Sequence, residues 1–86
     1  MRIVVVYRDA SDHGREVREY IDDFERQTGL KIEQINPDDG RNQFFLQAYD
    51  IVEYPTTLAI ADDGRLLQIW RGRPLPLIDE VAYYAR

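Results

Sequence analysis

The segment Tyr49–Gly72, YDIVEYPTTLAIADDGRLLQIWRG, constrains the fold more than any other part of the chain. Pro55 leads into an apolar run, Thr56–Ala61, and Asp63-Gly64 separates it from a second run, Leu66–Trp70. Proline cannot donate to a sheet ladder, so Pro55 belongs at the start of the strand and not within it. Asp-Gly between two apolar runs is a strong short-range hairpin signal. Two antiparallel strands are therefore expected, with Gly72 breaking the second.

The rest of the chain supplies partners for that hairpin. Ile3–Tyr7 is a continuous β-branched and aromatic run, as in a strand covered on both faces. Arg8–Asp12 reads as a turn, with Ser11, or else Asp12, as the cap of a helix. Val17, Tyr20, Ile21 and Phe24 then fall on one helical stripe. Arg15–Glu19, Arg18–Asp22 and Asp22–Arg26 are opposite charges four apart on its exposed sides. Gly29 suits the left-handed helix end. Leu30–Ile35 reads as a strand stopped by Asn36-Pro37. Asp38 or Asp39 can cap a second helix over Arg41–Tyr49, with Phe44, Phe45, Ala48 and Tyr49 as its buried side. Pro76 suits a first helical turn, and Leu77, Ile78, Val81, Ala82 and Ala85 give a final amphipathic helix. Tyr83 and Tyr84 cannot both face the core. The order is βαβαββα: an α/β chain with a right-handed parallel βαβ unit, a four-stranded mixed sheet and helices on both faces.

The 86 residues suffice for a single domain, residues 1–86. With 44% apolar and 12% aromatic residues, the chain lies outside the disordered class. It contains no cysteine, so disulfides, thiolate metal sites and thiol nucleophiles are all excluded. The net charge of −5 opposes a phosphate backbone, and no nucleic-acid partner is expected. The N-terminal apolar run is too short for a signal-peptide core, and none of the apolar runs approaches a membrane span, so a cytoplasmic setting without a membrane partner is expected. His13 is the only histidine, and neither a metal site nor a cofactor is expected.

The element order and the Tyr49–Gly72 motif resemble the thioredoxin-like, or glutaredoxin-like, family. On that resemblance Pro55 matches the family's cis-proline, Asp62-Asp63-Gly64 its hairpin turn and Gly72 the glycine ending the last strand. The family's redox site is a C-x-x-C pair after the first strand. Placed so that Val17 is the apolar residue three past the second cysteine, the pair falls on Ser11 and Gly14, with Arg15 next. Slid by one, it falls on Asp12 and Arg15. Both registers lack sulfur, which implies a redox-inactive member without dithiol chemistry.

What remains is the family's binding surface. The resemblance implies that the backbone of Tyr54, before the proline, pairs with an extended peptide. Ser11, Asp12, His13, Gly14, Tyr54, Pro55 and Arg73 are therefore the expected binding residues for a protein or peptide partner, with Trp70 helping to shape its pockets and no catalytic residue among them. Ser11-Asp12-His13 holds the side-chain types of a hydrolase triad, but three consecutive residues at a helix start fan out and do not converge. The alternative is a small-molecule or anion binder, or a transferase-like protein, that holds a glutathione-type thiol at the helix N-terminus beside Ser11. A homodimer through the exposed sheet edge is a third reading.

Overall fold

Alternation along the two central strands decides where the helices lie. The structure, a computed structural model, describes residues 1–85. Strand β1 (Arg2–Val6) runs parallel to β2 (Glu33–Ile35) and antiparallel to β3 (Thr56–Ile60), which pairs antiparallel with β4 (Leu66–Arg71). The sheet order is β2-β1-β3-β4. Ile3 and Val5 face one side with Ala59, where α1 (Gly14–Thr28) and α3 (Ile78–Tyr84) cover them through Val17, Ile21, Phe24 and Val81. Val4 and Val6 face the other with Leu58 and Ile60, under Leu46 of α2 (Gln43–Ala48) and Ile51. Buried on both faces, β1 and β3 have to read as continuous apolar runs.

The boundaries differ where tertiary contacts override local pattern. β2 spans three residues and not the whole of Leu30–Ile35. The second helix starts as a 3-10 turn over Gly40–Asn42, with the Asp39 carboxylate accepting from the Arg41 N–H. On α2, Phe44 is 84% exposed and Ala48 is also exposed; Leu46 is the buried residue, with Phe45 and Tyr49 half-buried. The helix is too short for a full stripe, and its contact with Val4, Val6 and Leu58 sets its rotation. Of the pairs expected on α1, Arg15–Glu19 forms, whereas Arg18 turns to Asp9 and Arg26 to Asp23. Leu77 caps α3 and is exposed, so Pro76 precedes the helix. Tyr83 is exposed and Tyr84 half-buried.

The hairpin loop is one residue longer than Asp63-Gly64 alone. The Gly64 N–H reaches the Ala61 carbonyl at 2.9 Å, and Gly64 itself is left-handed at φ +89. This is a three-residue loop, a turn closed by a left-handed glycine. The Tyr49 hydroxyl, donating to the Gly64 carbonyl at 2.6 Å, ties the loop to the end of α2.

Candidate functional site

The end of the sheet where β1 finishes and β3 begins gathers three segments. The first is the β1–α1 connection. The Ser11 hydroxyl donates to the Arg8 carbonyl at 2.5 Å and accepts from the His13 N–H at 3.3 Å. His13, 6% exposed, accepts the Arg8 N–H on Nε2 at 3.2 Å, and its Nδ1 lies 3.5 Å from Asp12 Oδ1. Its ring meets Tyr7 edge-on at 6.4 Å. Ser11 therefore shapes the turn and does not cap the helix. The N-cap residue is His13, with no side-chain cap bond.

These bonds also settle the triad question. The Ser11 hydroxyl is spent on a backbone carbonyl, and the imidazole is spent on a backbone N–H. A serine nucleophile needs its proton held by the base. That contact does not form here.

The second segment enters at the Tyr54–Pro55 bond, which is cis, as is Arg73–Pro74. The Thr56 hydroxyl donates to the Glu53 carbonyl at 2.7 Å and fixes the approach to β3. Tyr54 is half-buried and packs with the cluster under α2. It also lines a cavity of about 220 Å³ with Leu46, Asp50, Ile51 and Val52. Tyr54 is thus both a packing residue and a wall. The third segment follows β4: the Gly72 N–H donates to the Pro55 carbonyl at 2.8 Å, beside the Glu53 carboxylate. Arg73 then crosses to the start of α1, where it meets Asp12, just before the helix, at 3.4 Å and Glu16, in its first turn, at 3.8 Å.

Ser11, Asp12, His13, Gly14, Tyr54, Pro55 and Arg73 therefore lie on segments in mutual contact. Trp70 does not belong with them: it packs toward the α1–α3 core, edge-on to Tyr84 at 5.7 Å. The residue that sequence reasoning missed is Arg8. Its backbone holds Ser11 and His13, its guanidinium lies 4.8 Å from the centre of the Tyr54 ring, and it grips Asp38 with Nε–Oδ2 at 2.9 Å. A cation over an aromatic face is attracted by the ring quadrupole. In the sequence Arg8 reads only as part of the turn Arg8–Asp12, and its partners lie far along the chain. A second cavity, about 350 Å³, opens on the other side of this connection between Tyr7, Asp9, Arg18 and Gln34.

The carboxylates around this end have a pH signature. Hydrogen bonds from the Arg8 guanidinium hold Asp38 below its ordinary range. The Arg41 side chain, and after it the Arg41 N–H, bring Asp39 from 3.8 to about 2. A depressed carboxylate stabilises the fold above its unfolded pKa and loses that contribution as pH falls through the folded one. Carbon-detected NMR titration is expected to place the Asp39 midpoint near 2, with stability falling as pH drops from 3.8 towards 2. A midpoint at 3.8 would show that Arg41 does not hold Asp39 in solution.

Among the described residues no group of three or more His, Cys, Asp or Glu side chains is placed to hold a metal ion, and no helix is long and apolar enough to cross a membrane. No protein-family model and no curated protein sequence matches the chain. Among solved structures, thioredoxin 1 from the thermophilic eubacterium Thermosipho africanus TCF52B is similar, with a TM-score of 0.68. The match has 19% identity and covers 99% of this chain and 90% of that one. The fold is thioredoxin-like. Within the thioredoxin-like frame, residues 7–13 form the β1–α1 connection, in which Ser11 and His13 bond to the Arg8 backbone and Asp12 pairs with Arg73.

Proposed function

We propose that this chain is a cytoplasmic protein- or peptide-binding module, working without thiol–disulfide chemistry at the end of the sheet around Tyr54–Pro55. The observation that carries this reading is the convergence of residues 8–14, Tyr54–Pro55 and Arg73 in a chain without cysteine. No side chain there can form a mixed disulfide, so thiol exchange has no nucleophile. The expected mode is main-chain pairing of an extended partner segment beside Tyr54, with side chains providing selectivity.

Tyr54→Ala tests this. The ring is half-buried, so its loss is expected to cost far less stability than a core truncation while weakening partner binding by about 1–2 kcal/mol. Urea titration and capture of partners from lysate, run on the same variant, separate the two effects. Unchanged capture would place the binding surface elsewhere.

One observation favours a second reading. With no side-chain cap on α1, first-turn N–H groups remain for a carboxylate, a phosphate or a glutathione-type thiolate beside Ser11. Against it stand Asp12 and Glu16, both within reach of Arg73. Amide NMR titration with glutathione distinguishes the two readings, since only the second expects saturable shifts at Arg15 and Glu16.

A further inference from the structure

Strand β4 forms one edge of the sheet, where unpaired backbone groups offer a template for another strand. In an antiparallel ladder the residues alternate between groups turned toward the partner strand and groups turned away. The Gly72 N–H reaches the Pro55 carbonyl in β3's direction at 2.8 Å, with Arg71 opposite Thr56 and Ile69 opposite Leu58. Ile69 and Arg71 therefore present their N–H groups to the free edge. The Ile69 N–H is not open: Gln68 Oε1 accepts it at 2.9 Å. The same amide extends Nε2 to the Tyr84 hydroxyl at 3.4 Å, which anchors it from α3. Just before it, the register shifts between Ala59 and Ile60, where Gln68 and Leu66 are the paired residues and Leu67 is the extra one. A bulge bends a strand and interrupts pairing.

We propose that Gln68 is an edge guard, whose amide occupies the central outward N–H of β4 and keeps this strand from pairing with the β4 of a second copy. The occupant excluded is a copy of this chain because two β4 edges, turned antiparallel about Ile69, would bring the same outward groups face to face. Leu66 and Leu67, 37% and 36% exposed, add apolar side chains beside that seam. The homodimer expected as one reading of the sheet edge would require the Gln68 side chain to leave. This inference is independent of the surface around Tyr54.

Gln68→Val removes the acceptor and keeps a residue suited to strands. Sedimentation velocity over a concentration series, with amide hydrogen exchange at Ile69, tests the proposal on the wild-type chain and the variant. The wild type is expected to stay monomeric with its Ile69 amide protected. Dilute variant should exchange that amide roughly threefold to tenfold faster, as for loss of one hydrogen bond. At higher concentration it should dimerise and regain protection there. A variant that stays monomeric over the concentration series, whether or not its Ile69 exchange changes, overturns the proposal, as does a dimer whose Ile69 amide remains unprotected, or a wild type that already pairs through β4. Gln68→Thr, read the same way, serves if the valine variant fails to fold.

Discussion

Phe24→Ala is expected to remove about 3–5 kcal/mol of stability, the range for truncating a buried phenylalanine. Phe24 has no exposed surface, stacks on Tyr20 at 6.4 Å and belongs to the core that α1 and α3 share with β1. Val5, Val17 and Val81 of the same core are also fully buried, so the truncation removes packing from a closed layer. A chain of this size has roughly 5–10 kcal/mol in total, so the variant would be close to its unfolding threshold in water. Urea titration checks this by the shift in midpoint at constant slope. A loss near 1 kcal/mol would mean that α1 is seated differently on the sheet.

Gly14→Ala is expected to cost about 3 kcal/mol, at the upper end of overpacking, because the obstruction is backbone. A Cβ on Gly14 would lie 1.9 Å from the Asp9 carbonyl oxygen and 2.8 Å from its carbon. The Arg18 guanidinium, 3.2 Å away, can swing aside; the carbonyl cannot without moving the connection that carries Ser11 and His13. Partner binding around Tyr54 should therefore fall together with stability. Gly40→Ala is the control, since nothing lies within 4 Å of the added atom. Equal stability of the two variants would refute the close approach.

β1, β3, the hairpin and α1 were legible because each declares itself within a few residues: apolar runs for β1 and β3, a 3.6-residue stripe for Val17, Ile21 and Phe24, and Asp63-Gly64 for the turn; β2, with no such run, is three residues shorter than its pattern suggests. The cap of α1 was not. Ser11 is a favourable capping residue, yet the chain brings Asp9 against Gly14 and starts the helix later. Arg8 was invisible for a different reason. Its grip on Asp38 spans 30 positions, and the link from Arg73 to Asp12 spans 61. No local pattern encodes which distant loop a charged side chain will meet. The positions Ser11–Gly14, Tyr54 and Arg73 were reached through topology, whereas the residue that joins Tyr54 to the connection emerged only with the folded chain.

The two faces of the sheet are unequally covered, and this should divide the molecule's opening motions into two tiers. One face lies beneath α1 and α3; the other is covered by a six-residue helix with one buried side chain, Leu46, and by Ile51 in the loop after it. Segments with few buried contacts open at lower free energy than the whole fold. In native-state exchange, the amides of α2 and the adjoining 3-10 turn should release in a sub-global step, ahead of β1, β3 and α1. That step would bare Val4, Val6, Leu58 and Ile60 while the opposite layer stays shut, a half-opened form that equilibrium unfolding monitored by a single probe would miss.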